Sequence, residues 1–256
     1  MLLVIDVGNT NIVFGVYDGD ELAGHWRIAT NPDRTTDETG ILLHEIFNFA
    51  GIDIRKIRGS VISSVVPPVL HPVTRMCERY FRHAPLVVGP GIKTGISILY
   101  DNPKEVGADR IVNAVAAHHM YPGDNCVVVD FGTATTFDYV TRKGEYLGGV
   151  ISPGLQVALN GLFSAASKLP RVEIAKPTKI LGKNTVHAIQ AGIFYGYVGL
   201  VDGIVNRLRE EQGDLKARVL ATGGLSSLIA QESKTIEEVD AFLTLFGLKL
   251  IYEMNR

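Results

Sequence analysis

The sequence of 256 residues is poor in cysteine and has no excess of charge of either sign. Its two cysteines, Cys77 and Cys126, do not form a C-x-x-C pair, which argues against a disulfide framework and against a zinc site. The 25 Lys and Arg residues nearly balance the 27 Asp and Glu residues, and no basic block stands out. We therefore do not expect nucleic-acid binding.

Long apolar runs are also missing. No uninterrupted apolar stretch approaches the roughly 20 residues that a membrane-spanning helix needs. Asp6 interrupts the first apolar run and no basic segment precedes it, so we expect no signal peptide. Hydrophobic residues make up 46% of the chain, enough for one large core or two smaller ones. These features predict a cytoplasmic globular protein without a membrane partner.

One pattern is present twice. The segments LLVIDVGNTNIVFGVY (2–17) and VVVDFGTATTFDYV (127–140) each place Asp-x-Gly directly after a strand-like run. Asp6 and Asp130 lie 124 positions apart. At this offset, without a gap, the matching pairs are Gly8 with Gly132, Val16 with Val140, Glu21 with Glu145 and Gly24 with Gly148. The turn signals DGDE (18–21) and RKGE (142–145) then predict a β-meander in each of two like-built halves.

Strands and helices alternate through the rest of the chain, which is typical of α/β layers. We expect helices at 36–51, 71–83 and 184–213 and strands within 58–69, 84–89 and 217–222. Thr36 or Asp37 is the predicted N-cap of the first helix, and Gly51 its end. Glycines 192, 196, 199 and 203 form a stripe along the long helix. The stripe fits tight packing within the chain and a subunit interface equally well.

The two aspartate segments suit phosphate chemistry. A strand that ends in Asp and continues into small polar residues can present backbone N–H groups to phosphate, and the carboxylate can hold hydrated Mg²⁺. The alternative at Asp6 is an ordinary hairpin turn in which the carboxylate caps nearby amides. In the second copy, Asp130 and the threonines of 132–136 suit a phosphate edge and a cation. The segment ATGG (221–224) would let a ring or phosphate approach the backbone.

The segment GADR (107–110) stands where a loop becomes a helix. Asp109 there could accept a proton from a substrate hydroxyl, and Arg110 could bind a carboxylate or phosphate. The alternative is a helix-capping aspartate beside an exposed arginine. The sequence lacks a P-loop and a G-x-S-x-G elbow, and the adjacent His118 and His119 do not have metal-ligand spacing.

Ten segments together resemble the type III pantothenate kinases, a family of the acetate and sugar kinase, Hsp70 and actin superfamily. They are DVGNT (6–10), SSVVPP (63–68), VVGPGIKTG (87–95), NPKEVGADRIVNAVAA (102–117), VVDFGTATTFD (128–138), GGVISPG (148–154), KLP (168–170), GKNT (182–185), GIFYGYVGLVDGI (192–204) and ATGG (221–224). The resemblance implies an α/β fold of duplicated ribonuclease-H-like (actin-like ATPase) domains with an interdomain cleft. It places the domains at 1–115 and 116–256 and implies a homodimer.

The same resemblance implies a reaction: ATP-dependent phosphorylation of pantothenate to 4'-phosphopantothenate, the first step of coenzyme A biosynthesis. It makes Asp109 the general base, Asp6 the Mg²⁺ ligand and Asp130 the ligand of a monovalent cation, K⁺ or NH₄⁺. The implied ATP-binding residues are Asp6, Val7, Gly8, Asn9, Thr10, Asn11, Ile12, Val13 and Thr133. The implied pantothenate-binding residues are Tyr100, Gly107, Ala108, Asp109, Arg110 and Thr185.

Two other functions remain open at this point. Another kinase or a phosphatase of the superfamily would share the duplication and the Asp-x-Gly segment, but would not be expected to carry GADRIVNA. A non-catalytic accessory regulator of gene expression is the second alternative, since some relatives were first described in that role. The presence of Asp6, Asp109 and Asp130 argues against it.

Overall fold

The computed structural model describes residues 1–166 and 168–256. The chain forms two compact units. Unit 1 comprises Met1–Ile96, Asp101–Ala116 and Thr244–Arg256, and unit 2 comprises Ser97–Tyr100 and Ala117–Leu243. The predicted domains, 1–115 and 116–256, stay a prediction. The compact units group two segments differently, because the last helix belongs to unit 1 and the short strand before Tyr100 to unit 2.

Unit 1 is built on a five-stranded sheet in the order β3-β2-β1-β4-β5. The strands are β1 (Leu2–Val7), β2 (Asn11–Asp18), β3 (Glu21–Ala29), β4 (Gly59–Ser64) and β5 (Leu86–Val87). The first three form an antiparallel meander, whereas β4 and β5 run parallel to β1. Strands that are buried on both faces read as continuous apolar runs, and β1 is such a strand. Leu3 and Ile5 enter one core, and Val4 enters the other.

The helices are α1 (Thr36–Phe49), α2 (Pro67–Met76), α3 (Ala108–Met120), α4 (Leu155–Ala165), α5 (Thr185–Glu211), α6 (Ser226–Ala230) and α7 (Leu243–Asn255). In unit 1, α1 and α2 cover the Leu3 face of the sheet through Leu43 and Val73. The opposite face packs against α3 and α7, where Val112 and Leu248 lie in one core with Val4. This second face carries the residues that matter below.

Unit 2 repeats the design with a six-stranded sheet in the order β11-β10-β7-β8-β9-β6. The strands are β6 (Ser97–Ile98), β7 (Cys126–Phe131), β8 (Ala134–Val140), β9 (Glu145–Pro153), β10 (Arg218–Gly223) and β11 (Glu238–Val239). As in unit 1, a three-stranded antiparallel meander continues into two parallel strands. The predicted duplication is therefore visible in the strand order of both sheets.

The ungapped alignment of the two copies is wrong in one strand. Val7 pairs with Ile12 across a turn of four residues, whereas Phe131 pairs with Thr135 across a turn of three. The lost residue is restored after β8, where the turn of 142–144 is one residue longer than that of 19–20. β8 is therefore offset from β2 by 123 positions and not by 124. Val16 corresponds to Tyr139 and not to Val140, and each copy has its β-bulge directly after this position.

Several local predictions need correction at their ends. α1 is capped by Thr35, one residue before the predicted Thr36, because Thr35 and Glu38 form a reciprocal capping box. The proline pair does more than end β4, since α2 begins at Pro67, where a missing N–H costs nothing. The helix predicted at 71–83 is the second part of α2 and a π-helical turn, Cys77–Phe81. The strand predicted at 84–89 is only two residues long.

The long helix α5 is apolar enough, by length and composition alone, to cross a membrane, although no uninterrupted apolar run of that length exists. Core helices of soluble proteins pass the same test. Phe194, Val201 and Val205 of α5 lie in the core of unit 2. This burial fits a core helix.

Candidate active site

In unit 1 the Asp6 turn closes the hairpin between β1 and β2. Asp6 is the second-last residue of β1, and the exposed tip of the turn is Asn9 and Thr10. The Gly8 N–H donates to the Asn11 carbonyl at 3.0 Å, and the Thr30 hydroxyl donates to the Gly8 carbonyl at 2.6 Å. The turn is thus held by the backbone and by a neighbouring strand. Its exposed residues can meet a ligand without loss of these bonds.

The range 6–13 contains two kinds of residue. Residues 8–11 form the turn, whereas Ile12 lies in the apolar core and Val13 packs on the opposite face of the sheet. The Val7 carbonyl accepts the Val65 N–H at 3.1 Å, which extends the pairing of β1 with β4. Contacts to a phosphate can therefore come from the turn and from Asp6, while Ile12 and Val13 support the strand beneath it.

Asp109 lies near the same end of this sheet. It is in the first turn of α3, which packs on the sheet face that includes Val4 and Val61. Asp6 shares that face with Val4, because side chains alternate along a strand. A Cβ built on Gly107 would lie 2.5 Å from Asp109 Oδ1 and 3.5 Å from Val65 Cγ1. The Asp109 carboxylate is therefore close to the end of β4, the strand beside Asp6.

The surroundings of Asp109 favour its neutral form more than water would. Burial raises the pKa of the carboxyl above its ordinary value of 3.8, although the Arg110 N–H and the Arg110 charge act in the opposite direction. The Arg110 N–H donates to Oδ1 at 2.8 Å. A raised pKa brings a carboxylate nearer to the basicity that suits a general base at neutral pH. Arg110 is buried, at 7% exposure, so the exposed arginine of the capping alternative is wrong.

In unit 2 the Asp130 turn is enclosed by backbone. The Gly132 N–H donates to the Ala134 carbonyl, and the Gly154 N–H donates to the Thr133 carbonyl, both at 3.0 Å. A Cβ on Gly154 would lie 2.4 Å from the carbonyl oxygens of Gly132 and Thr133. A Cβ on Gly223 would lie 2.6 Å from both Asp130 Oδ1 and the Phe131 carbonyl oxygen. The ATGG segment thus closely approaches the Asp130 carboxylate, and its approach to a ring or a phosphate stays a prediction.

Tyr100 is also in unit 2, where it lies beside β9. Its ring packs over Gly148, where a Cβ would lie 3.3 Å from the ring. Its ring centroid is 6.4 Å from that of Tyr146, whose hydroxyl donates to the buried Asp138 carboxylate at 2.6 Å. Tyr100 therefore packs beside a tyrosine whose own position is fixed by a buried hydrogen bond.

Thr185 begins α5 and is exposed. It lines an open cavity of about 590 Å³ together with apolar side chains of α4 and α5, among them Leu162 and Ile193. The glycine stripe of α5 is open as well. Outside the backbone of the helix itself, a Cβ on Gly192, Gly196 or Gly199 would meet no described atom within 4 Å, whereas one on Gly203 would lie 3.2 Å from Arg207 Nη1. Packing within the described chain therefore does not explain the first three glycines of the stripe.

The donor sets fit the implied ions. Within the described residues no group of three or more His, Cys, Asp and Glu side chains could hold a metal ion. The single carboxylate of Asp6 agrees with Mg²⁺, which takes one or two carboxylates plus phosphate oxygens and waters. Beside Asp6, the buried Ser63 hydroxyl has no hydrogen-bond partner within the described residues, so this end of the sheet has a polar group left to satisfy. At Asp130 the close glycine backbone places the Phe131 carbonyl oxygen near the carboxylate, and oxygen atoms of this kind suit a monovalent cation.

Sequence reasoning gave no role to Ser63 or Gly154, and it gave the ATGG segment that contains Gly223 only the approach of a ring or phosphate. Ser63 is paired in register with Asp6, and Gly154 and Gly223 press against the Asp130 turn. The available signal was position, because SSVVPP, SPG and ATGG each lie at the end of a strand. Which strand ends are neighbours depends on the sheet order, and the sequence does not state this order.

The sequence profile described as "Type III pantothenate kinase" matches residues 2–207. The type III pantothenate kinase of Geotalea daltonii is 61% identical over 256 residues, which cover 100% of this chain and 99% of the relative. That of Geobacillus kaustophilus is 57% identical over 255 residues, with 100% and 98% covered.

Two solved structures are similar at low identity. One is a putative Baf family transcriptional activator from Campylobacter jejuni, with 19% identity, a TM-score of 0.59, and 98% and 97% of the two chains covered. The other is a putative 2-dehydro-3-deoxygalactonokinase from Sinorhizobium meliloti, with 11% identity, a TM-score of 0.57, and 99% and 96% covered. These two show the fold alone, and the expected duplicated ribonuclease-H-like fold is confirmed. By its profile match and its full-length relatives, the chain belongs to the type III pantothenate kinases.

Proposed function

We propose that this kinase phosphorylates the primary hydroxyl of pantothenate with ATP and that Asp109 is the general base. One observation carries the assignment: the Asp109 carboxylate, with its raised pKa, lies near the end of the strand that pairs with the Asp6 strand. A base and a phosphate-binding turn at one end of a sheet are the two parts that phosphoryl transfer to an alcohol needs.

The chain's own residues then have separate tasks. The turn 8–11 presents backbone N–H groups and hydroxyls to the ATP phosphates, and Asp6 holds Mg²⁺. When bound, Mg²⁺ supplies positive charge to the phosphate oxygens. Asp109 accepts the proton of the attacking hydroxyl, so the pantothenate oxygen forms its bond to the γ-phosphorus as ADP leaves. Arg110, together with Gly107 and Ala108, binds the substrate and orients its hydroxyl.

Asp130 takes a monovalent cation, K⁺ or NH₄⁺, and Thr133 contacts ATP. The resemblance stated above supports this assignment, and so does the chemistry of the turn, which offers one carboxylate and nearby carbonyl oxygens. The chain has no P-loop lysine. A monovalent cation would supply positive charge that such a lysine supplies elsewhere.

The remaining substrate contacts are Tyr100 and Thr185. The Tyr100 ring packs against Gly148 and beside Tyr146, so these two residues support one side of the ring. Thr185 borders the open cavity at the start of α5. We also expect a cytoplasmic enzyme, since the biosynthetic reaction uses ATP and a soluble substrate.

A coupled assay of ADP release tests the reaction. Pantothenate should support turnover in the presence of Mg²⁺ and K⁺, whereas a panel of sugars should not. Replacement of K⁺ by Na⁺ should lower the rate strongly, and NH₄⁺ should restore it. Turnover with a sugar but not with pantothenate would overturn the substrate assignment. Equal rates in K⁺ and Na⁺ would overturn only the cation assignment.

We further propose a homodimer that buries the open glycine stripe of α5. Exposed apolar side chains lie on α5 and on the preceding helix α4, including Val186 of α5 and Val157 of α4. Gly196→Arg should convert the dimer to a monomer in light scattering. Glu211→Arg, at the exposed end of α5, is the matched control and should leave the mass unchanged. A wild-type monomer at micromolar concentration would contradict the proposal.

A further inference from the structure

Ser63 lies beside Asp6 on the neighbouring parallel strand. The two residues are paired in register, and Val61 and Val4, two positions earlier in each strand, lie in the same core. Because side chains of paired residues in parallel strands lie on one face, Ser63 shares the Asp6 face. That face also carries α3, whose first turn contains Asp109. Ser63 therefore lies within the candidate site.

The Ser63 hydroxyl is buried and has no hydrogen-bond partner among the residues that the structure describes. The residue is 0% exposed, and Oγ is among the buried polar atoms without a bond. Native proteins pair nearly all buried polar groups, so an exception asks for an explanation, and a missing ion or water is one of the usual ones. A hydroxyl beside the proposed Mg²⁺ ligand fits that explanation.

Ser60, on the same strand, shows what a structural hydroxyl looks like here. It is also buried, at 1% exposure, but it faces the opposite side of the sheet and its Oγ lies 3.0 Å from His83 Nε2. The chain thus satisfies the structural serine of β4 from within. The Ser63 hydroxyl, on the same strand beside Asp6, has no partner in the described part of the chain.

The second copy repeats the arrangement. Thr222 of β10 pairs in register with Asp130, as Ser63 of β4 does with Asp6. Thr222 is 2% exposed. A buried hydroxyl beside the aspartate is therefore common to both copies, although the two segments, SSVV and ATGG, have little else in common. Thr222 Oγ1 is not among the buried polar atoms without a bond, so the second copy shares the position of the hydroxyl and not its missing partner.

We propose that Ser63 is a positioning residue for magnesium–ATP and that, after a rotation of the side chain that brings Oγ out of its solvent-inaccessible position, its hydroxyl hydrogen-bonds to a water of the Mg²⁺ hydration shell beside Asp6. The inference rests on the proposed role of Asp6. Mg²⁺ loses its waters reluctantly and usually keeps several of them when it binds. Such waters need partners, and groups that hold the outer ligands typically change metal affinity 10- to 100-fold when removed. Ser63 supplies one partner without a charge that would repel the metal.

The test compares Ser63→Thr with Ser63→Val, two side chains of the same shape that differ in the hydroxyl. Binding of the magnesium complex of a non-hydrolysable ATP analogue is measured by calorimetry on the full chain, and Tm is measured without ligand. We expect the Thr variant to bind within about threefold of wild type and the Val variant to bind about tenfold more weakly. The Tm of the Val variant should be no lower than that of the Thr variant, because no hydrogen bond of the free protein is lost.

Ser60→Ala is the matched control. It should lower Tm, because His83 loses its hydrogen bond to the Ser60 hydroxyl, and it should leave the affinity for the analogue unchanged. Equal analogue affinities of the Ser63→Thr and Ser63→Val variants would overturn the inference. Asp6→Asn distinguishes a failure of the Ser63 inference from a failure of the proposed Mg²⁺-binding role of Asp6. If Asp6→Asn loses magnesium-dependent binding while Ser63→Val keeps it, the Ser63 inference fails alone. If Asp6→Asn keeps that binding, the proposed role of Asp6 fails and the Ser63 inference fails with it.

Discussion

The Asp6 turn and the Asp130 turn occupy the same place in two sheets of the same order, yet their surroundings differ. Asp6 closes a turn of four residues and has the Ser63 hydroxyl on the adjacent strand and the first turn of α3 at the same end of the sheet. Asp130 closes a turn of three residues and is enclosed by the backbone of Gly154 and Gly223. The duplicated scaffold keeps the carboxylate in place, while its neighbours decide what the carboxylate can bind.

This difference agrees with the separate tasks proposed for the two aspartates. A hydrated divalent ion needs space for waters and phosphate oxygens, which an exposed turn provides. A close-packed glycine backbone brings carbonyl oxygens near the carboxylate, which suits a weakly hydrated monovalent ion. The proposed base, Asp109, belongs to the first copy, since it lies on α3.

The largest expected effect comes from Asp109→Asn, which removes the base from the first copy. It should lower kcat about 10²- to 10⁴-fold, the usual contribution of a general base. Because the folded-state pKa is raised, ionisation of Asp109 opposes folding at every pH above the unfolded value of 3.8. Asp109→Asn should therefore raise Tm at pH 7 and have less effect on Tm near pH 3.

Asp101→Asn, at an exposed position before α3, is the control for the loss of a charge. It should leave both kcat and Tm close to their wild-type values. In the wild type, kcat should fall on the acid side as Asp109 becomes protonated, and this fall should begin above the pH expected of a free aspartate. A variant Asp109→Asn with near wild-type turnover at saturating substrate would contradict the assignment.

A reciprocal pair of variants compares the two turns directly. Asp6→Asn should raise the Mg²⁺ concentration for half-maximal activity by roughly 10- to 100-fold, with little change in the K⁺ requirement. Asp130→Asn should do the reverse. Titration of each ion against each variant gives four curves. If both variants responded to the same ion, the proposed division between the copies would be wrong.

Gly223→Ala places a methyl group in close contact with the Asp130 carboxylate. Gly223 has φ +90°, where side chains are rarely accommodated, and its Cβ would strike Asp130 Oδ1 and the Phe131 carbonyl. We expect a loss of roughly 1–3 kcal/mol in the free energy of unfolding, together with weaker activation by K⁺. Gly19→Ala, with φ +61° and no atom within 4 Å, is the matched control. It should cost about 1–2 kcal/mol from the backbone alone and leave K⁺ activation intact.

The smallest effect is expected from Gly148→Ala, which presses on the Tyr100 ring. The KM for pantothenate should rise severalfold, while kcat and the KM for ATP stay close to wild type. Gly144→Ala also places a side chain at a positive φ, +74° compared with +128° at Gly148, but its Cβ contacts His118 and not Tyr100. It should lower Tm without a change in the KM for pantothenate.

The sequence predicted the duplicated fold well because its strongest signals are local. Buried strands, Asp-x-Gly turns and turn pairs are all written in short windows, and both sheets confirm them. The ends of elements were less well predicted, as at Thr35 and Pro67, since one residue decides a cap. The role of Ser63 needed the register between β1 and β4, which depends on pairing across 57 positions. The sequence could not predict that the glycine stripe of α5 is open, because this depends on where every other helix lies.

The one-residue shift of β8 has a consequence for anyone who exchanges parts between the two copies. Side chains alternate with a period of two, so a slip of one residue turns a whole strand over. An exchange by the ungapped alignment would put residues 132–135 in place of 8–11, and Thr135 instead of Ile12 would then pair with Val7. Ile12, Phe14 and Val16 would move by one position along the hairpin and out of their core. A chimera keeps its hairpin when residues 132–134 replace 8–11, because Ile12 and Thr135 hold the same place opposite Val7 and Phe131.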